Sequence, residues 1–337
     1  MTIREQIEQM ERATFSPLAT LSENSRGRDR QEEECDIRPV FQRDRDRILH
    51  CKSFRRLKNK TQVFLTPQGD HYRTRLSHTL EVSQNARTIG KALRLNEDLV
   101  EAIALGHDLG HTPFGHCGEQ VLDRLSPERF IHSEQSVRIV EKLEDGGKGL
   151  NLTWEVRDGI RNHQTKCTPA TPEGKIVRFS DKIAYINHDI DDAIRAKILD
   201  EESLPLEIRK TIGMSTRTRL DNLIHNIILT SQKEGDICMT SEMEEAMYDL
   251  RKFMFENVYK NPVAKSEEEK AKRMIEEMYG LYMEKPSLMP GKYTRMIDEG
   301  ETKTRVVCDY ISGMTDQFCI AKFDEYFVPK AWKVDLY

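Results

Sequence analysis

Leu105-Gly106-His107-Asp108-Leu109-Gly110-His111-Thr112-Pro113-Phe114-Gly115-His116 closes an apolar helix pattern and opens a loop. Leu99, Val100, Ile103 and Ala104 give residues 97–107 the pattern of a short, largely buried helix. The glycines and Pro113 then break it. Three histidines and an aspartate fall within ten positions of that break. A metal site needs this combination: ligands on a rigid helix end, and further polar groups on the adjoining loop.

Working outward, helix periodicity dominates. Residues 75–95 place Leu76, Leu80, Val82, Ala86, Ile89 and Leu93 at helical spacing. Further helices are predicted over 118–125, 133–144, 176–199, 216–231 and 243–259. Ser266-x-x-Glu269 has the form of a capping box opening a helix to about residue 283. Strand signals are few: Val63-Phe64-Leu65 before Pro67-Gln68-Gly69-Asp70, and a turn at Asp145–Gly149 that would suit a hairpin. That glycine run lacks the Gly-Lys-Ser/Thr ending of a phosphate loop. Residues 1–35 read as polar and partly extended, and residues 286–305 as a long functional or oligomer-contact loop. The expected fold is all-α with at most a short hairpin. It forms a single domain over 1–337, with a core near 40–200 and a helical C-terminal extension over about 201–337.

Hydrophobic content of 37% and charged content of 32% suit a globular chain with a well-solvated surface. The formal charge of −5 gives no global reason to expect nucleic-acid binding. Basic residues nevertheless cluster at Arg43, Arg45, Arg47, Lys52, Arg55, Arg56, Lys58, Lys60, Arg73 and Arg75, as either a solvated face or a phosphate pocket. The seven scattered cysteines form no C-x-x-C pair, which argues for reduced thiols. There is no apolar signal core and no run long enough to span a membrane. A cytoplasmic protein is the expectation.

His107 and Asp108 are adjacent on a helix, so their side chains diverge by roughly 100°. Both reach one ion only if it sits beside the helix end, and other helices must then supply further ligands. His78 shares a face with Val82, Ile89 and Leu93 and points at the core. A lone histidine so placed is usually a core residue. Asp181 has apolar neighbours on both sides, and a buried aspartate is costly unless paired or metal-bound. Its neighbour Lys182 offers a plain ion pair instead. The order His…His-Asp…Asp on three helices outweighs these separate explanations.

His78, His107-Asp108 and Asp181 resemble the H…HD…D pattern of the HD-domain phosphohydrolases. The closer resemblance is to the deoxyguanosine triphosphate triphosphohydrolase family. It is carried by Phe41-Gln42-Arg43-Asp44-Arg45-Asp46-Arg47, Phe54-Arg55-Arg56-Leu57, Lys60-Thr61-Gln62-Val63-Phe64 and Arg73 through Val82. It continues over His107–Glu119, Ser180–Ala193 and Val307–Asp316, and so runs almost from end to end.

The resemblance implies one divalent metal, for which two imidazoles and two carboxylates suit Mn, Mg, Fe, Ni or Zn. It implies that the His116–Glu119 pair takes part in catalysis, with His111 near the phosphates and His132 as a further active-site histidine. Arg75 and Lys182 match phosphate contacts, with Arg55, Arg56 and Arg73 as helpers. Asp181, Tyr185, His188, Asp189 and Asp192 form a polar stripe on an otherwise apolar helix. By resemblance, Tyr185 packs on the sugar, while Asp189 and Gln62 bind its 3′-hydroxyl. His188-Asp189 is itself an HD dipeptide, but lies one to two turns beyond Asp181 and reads as a decoy.

The implied activity is hydrolysis of a deoxynucleoside triphosphate, dGTP included, to deoxynucleoside and inorganic triphosphate. The implied partners are that substrate, further copies of the chain and a second nucleotide as activator. Two other classes compete. One is another HD hydrolase, acting on 5′-nucleotides or guanosine polyphosphates. The other is a catalytically weak regulator binding nucleotide or single-stranded nucleic acid through residues 43–60. Only Phe41, Phe54 and Phe64 lie near that segment to stack on bases.

Overall fold

The computed structural model describes residues 1–62, 73–260 and 262–330, and the side chains of all of these but 262–266. Sixteen α-helices and no sheet occur among the described residues. The only extended pairings there are isolated bridges, Arg28 with Thr153 and Thr61 with Thr74. The fold is all-α, as the periodicity predicts. None of the helices is long and apolar enough to cross a membrane. All seven cysteines are free. The strand signal at 63–65 and its following turn lie outside the described residues.

The helix Glu97–Gly106 is the hub. It packs against Val40–His50, Arg75–Ala92, Trp154–Arg161 and Pro172–Arg195. Leu99, Val100, Ala102, Ile103, Ala104 and Leu105 are all essentially inaccessible to solvent. Burying an aliphatic side chain of leucine size contributes about 1.5–3 kcal/mol, so the helix end that carries His107 is firmly anchored. Asn96 caps the other end, accepting from the Leu99 amide at 3.2 Å.

The hydrophobic side chains gather into two clusters. One runs from Phe41 through the hub to Val258. The second joins Phe114, Cys117, Val121, Leu122 and Phe130 to C-terminal residues between Ala271 and Cys319. The helix Gly115–Leu125 therefore leans on Pro262–Glu284, while Gly115 at its start lies against Arg75 and the Gln62 carbonyl.

Several expectations are corrected. Residues Ile3–Thr14 form a helix rather than an extended arm, because Thr2 and Glu5 make a complete capping box. The stretch 286–305 is mostly helical, with Gly291–Asp298 and the start of Lys303–Ser312. The helix predicted to open at Ser266 begins at Pro262. Proline is well tolerated in a first turn, where its missing N–H has no partner to lose. Asp145–Gly147 forms a 3-10 turn, not a hairpin. The 133–144 segment is a helix from His132 to Arg138 that continues as a π-helical turn over Ile139–Leu143.

Candidate metal centre

His107 continues the helical backbone past Gly106 and is fully buried. Its Nδ1–H donates to the Ala104 carbonyl at 2.6 Å. That bond fixes the tautomer and leaves a lone pair on Nε2. The buried Nε2 has no hydrogen-bond partner among the described residues. It lies 3.5 Å from Asp108 Oδ1 and 3.8 Å from Asp181 Oδ1. His78 Nε2 is 3.1 Å from Asp181 Oδ1 and 3.9 Å from Asp108 Oδ2. Helices Arg75–Ala92 and Pro172–Arg195 pack together and bring His78 and Asp181 to the hub's end.

Two imidazole nitrogens and the Asp108 carboxylate thus gather at one buried point, and the Asp181 carboxylate, one-fifth exposed, closes on both imidazoles beside them. An acceptor lone pair buried beside carboxylates is unfavourable on its own, and a divalent cation resolves it. The electrostatics agree. Burial opposes ionisation of Asp108, but His107, His111 and Arg75 hold its carboxyl well below the ordinary range. Asp181 is lowered to about 2 against its burial, by the His78 bond and the nearby His107. His78 is shifted upward, again against burial, by its bond to Asp181 and the charge of Asp108. The pocket attracts positive charge, and the residues present fit a divalent metal.

Outside the ligands stands a supporting layer. Arg75 is buried and donates to Asp108 Oδ2 at 2.8 Å and to the Gln62 carbonyl at 3.2 Å. His188 does not join the four converging groups. Its Nδ1 is 3.5 Å from Nδ1 of His78, and its Nε2 is 2.6 Å from Glu81. With Nε2–H donating to Glu81, His188 Nδ1 accepts from His78. A metal displacing the Nε2 proton that His78 otherwise shares with Asp181 would then find the Nε2 lone pair already aimed at the space between Asp108 and Asp181. Glu81, three residues after His78 on the same helix, went unnoticed in the sequence.

A second cluster adjoins the first. His111 Nε2 is 3.2 Å from Asp108 Oδ1, and its ring stacks on His132 at 3.8 Å. A side chain at Gly110 would strike the His132 carbonyl and the Ser136 amide, so only glycine lets this loop lie so close. Glu119 accepts from the His132 amide at 2.8 Å and from its Nδ1 at 2.8 Å. It also lies 3.2 Å from His116 Nδ1. Burial opposes ionisation of Glu119, but the His132 charge and the bonds from His116 and His132 hold it far below the usual carboxylate range.

His163, another residue the sequence did not reveal, settles the protons. Its Nδ1–H donates to the Ile160 carbonyl at 2.7 Å, so its Nε2 accepts from His132 Nε2 at 3.2 Å. His132 then donates from both nitrogens and is an imidazolium. Its pKa is raised by Glu119 despite burial, while burial and the neighbouring His107 and His132 push His163 down to about 4. His116 sits at the rim with its side chain 69% exposed. Its Nδ1 faces Glu119 and its Nε2 is left for other partners.

Further along Pro172–Arg195, the polar stripe is not a solvated face. His188, Asp189 and Asp192 are buried, and Tyr185 is half-buried. Asp189 Oδ2 accepts from the hydroxyl of Tyr259, a partner the sequence did not suggest. Its Oδ1 and Gln62 Oε1 are buried without partners among the described residues. Burial raises Asp189 to about 7. Lys182 is half-buried, which lowers its pKa.

The basic run divides. Arg45 pairs with Asp98, Arg47 with Glu32, and Arg73 with Glu81, Asp191 and Asp192. Arg55 is exposed, and Arg55 and Arg56 line a separate cleft of about 770 Å³ in which no member of the metal cluster takes part. Of the ten basic residues in this run, Arg75 is the one in contact with that cluster.

Comparison with known proteins gives a consistent result. The HD domain family matches residues 75–186, and the phosphohydrolase-associated domain family matches 237–325. A deoxyguanosinetriphosphate triphosphohydrolase-like protein of Caldanaerobacter subterraneus subsp. tengcongensis is 55% identical over 98% of both chains. Its counterpart in Clostridium tetani is 48% identical over 98% of this chain and 97% of that one. One from Clostridium perfringens is 50% identical over 98% and 99%.

Proposed function

The chain belongs to the deoxyguanosinetriphosphate triphosphohydrolase-like family of HD-domain hydrolases, and from that membership we propose that it is a metal-dependent deoxynucleoside triphosphate triphosphohydrolase. Its products are the deoxynucleoside and inorganic triphosphate. The observation that carries this reading is the unbroken path from metal to proton donor. Asp108 contacts His111, His111 stacks on His132, His132 bonds Glu119, and Glu119 holds His116.

His78, His107, Asp108 and Asp181 would hold the metal. Bound there, a divalent ion polarises a phosphoryl oxygen and stabilises the charge that develops on it. Arg75 and Lys182 bind the triphosphate, whose charge demands several positive partners, and the buried imidazolium of His132 adds positive charge nearby while both its N–H groups stay on Glu119 and His163. Water adds to the α-phosphorus and sheds its extra proton to solvent, the bond to the 5′-oxygen breaks, and that oxygen needs a proton. His116 supplies it from Nε2, while its Nδ1–H stays on Glu119. The 3′-hydroxyl is taken by the two unpartnered acceptors, Asp189 Oδ1 and Gln62 Oε1, with Tyr185 against the sugar. His111, neutral because burial and Arg75 lower its pKa, keeps Asp108 and His132 in register.

The test is product analysis. Purified protein is incubated with Mn²⁺ and each of the four deoxynucleoside triphosphates, and phosphorus species are resolved by ³¹P NMR. Inorganic triphosphate with an equal amount of deoxynucleoside supports the reading. Orthophosphate from a monophosphate, or pyrophosphate from a guanosine polyphosphate, with no triphosphate released, replaces it with another HD hydrolase.

A further inference from the structure

The turn that presents His116 is strained, and its restraint comes from the far end of the chain. Phe114 has φ 61° and ψ 23°, a left-handed conformation that an aromatic residue adopts only when its surroundings impose it. Gly115 follows at φ 59°. A side chain at Gly115 would come within 3.2 Å of both Arg75 Nη2 and the Gln62 carbonyl, so the turn is seated against two residues of the site.

Asp316 supplies the restraint. It is buried at the first position of the helix Asp316–Phe327. Its Oδ1 accepts the Phe114 amide at 2.9 Å. Its Oδ2 accepts the Thr61 amide at 2.9 Å and also the Thr61 hydroxyl. Thr61 precedes Gln62, and Phe114 lies two residues before His116. One carboxylate therefore ties both edges of the site to a helix 202 residues further along the chain. Lys60 repeats the link in the other direction. Its buried ammonium donates to the Ser312 carbonyl at 2.8 Å and to the His111 carbonyl. The first turn of a helix is an ordinary place for an aspartate. There, however, the carboxylate usually bonds its own helix or water, and this one turns inward to another element's backbone.

We propose that Asp316 is a positioning residue for the reaction: it holds Phe114 in its left-handed conformation and so sets the aim of His116. The C-terminal segment, matched as a phosphohydrolase-associated domain, thereby completes the active site. The aim matters for turnover only through the role given to His116 above, so the proposal rests on that reading.

Full-length Asp316→Asn keeps the side chain's shape and loses its charge. A displaced proton donor costs on the order of 10–100-fold in kcat, with KM for dGTP within about twofold and bound Mn²⁺ unchanged. Thr315→Ala is the control. It removes the cap of the same helix, where Thr315 accepts the Phe318 amide at 3.2 Å, without contacting the turn. It should lower the melting temperature and leave kcat alone. A second measurement needs no turnover. The His116 Cε1–H resonance, assigned by its loss in His116→Ala, should move in Asp316→Asn and stay in Thr315→Ala. Wild-type kcat in Asp316→Asn, an unmoved His116 resonance, or an equal kcat loss in Thr315→Ala overturns the proposal. If the wild type releases no triphosphate, the functional reading fails, and the resonance alone still decides whether Asp316 holds the turn.

Discussion

His107 donates its Nδ1–H to the carbonyl of Ala104, one turn earlier on its own helix, and so presents an unprotonated Nε2 to Asp181 at 3.8 Å. The backbone that ends the helix also chooses the tautomer. Metal binding is thus prepared by the hub helix itself. Because the ion binds the folded chain and not the unfolded one, saturating Mn²⁺ should stabilise it by about 2.7 kcal/mol at one hundred times Kd. Chelation should lower the melting temperature, and Asp108→Ala should abolish both the shift and the activity. A variant with no bound metal that still melts and turns over normally would remove the metal from the account.

The outer relay predicts a graded effect. Glu81 and His188 touch none of the four proposed ligands except His78, whose Nδ1 proton they hold. Outer-layer partners of this kind typically govern metal affinity by about 10–100-fold. Glu81→Gln and His188→Ala should each weaken Mn²⁺ binding in that range, measured by calorimetry. The double variant should be little worse than the worse single one, since both act through one imidazole. Fully additive losses would place the two residues on separate paths.

The relay also shows where the sequence was legible. His78 and Asp181 stand out in the sequence because each is polar among apolar neighbours, and such a placement needs a reason; the structure sets both beside His107 and Asp108. His188 was visible as an HD dipeptide, but which neighbour its ring meets is a tertiary fact. His163 stands in the polar stretch Arg161-Asn162-His163-Gln164, with no apolar period to mark it as buried. The N-terminal helix was missed because its buried positions include Glu8 and Glu11. Glu8 is paired with Arg4, and Glu11 accepts from Ser22. Pro290 and Gly291 suggest a loop, yet they open a helix. Asp316 closes the stretch Val307–Asp316 that carries the resemblance, but its bond to the Phe114 amide is a tertiary fact that no local pattern displays.

Asp189 predicts a pH dependence. Its carboxyl is raised by burial to about 7 in the folded chain, against about 3.9 when unfolded. Between those values the folded chain holds a proton that the unfolded chain has released. This contribution is therefore full at low pH and is lost as pH rises toward 7. His163, depressed to about 4, pulls the opposite way over much of the same window, because it must stay neutral while the unfolded histidine takes a proton. The wild-type curve mixes the two, and a difference curve separates them. Asp189→Asn should be more stable than the wild type above pH 7, by on the order of a few kcal/mol, and the gain should shrink toward pH 4. Denaturant unfolding at pH 5, 6 and 8 reads it. A pH-independent difference would mean that the charge of Asp189 carries no penalty.

Glu119 and His116 should respond differently although they form one pair. His116 is largely exposed, so His116→Ala should leave the melting temperature unchanged. If it carries the proton to the leaving oxygen, kcat should fall by about 10²–10⁴-fold while metal and nucleotide still bind. Glu119 is buried against His132, and its removal strands an imidazolium among His111, His163 and the metal ligands. An uncompensated buried charge typically costs about 3–5 kcal/mol, so Glu119→Gln should lose stability as well as turnover. The stability loss should diminish at high pH, where His132 can shed its proton. Thermal melts of both variants at pH 6 and pH 9, beside single-turnover rates, separate the roles. Equal melting losses in the two variants would show that His132 does not depend on Glu119. The imidazolium would then have to be held by something else in the cluster.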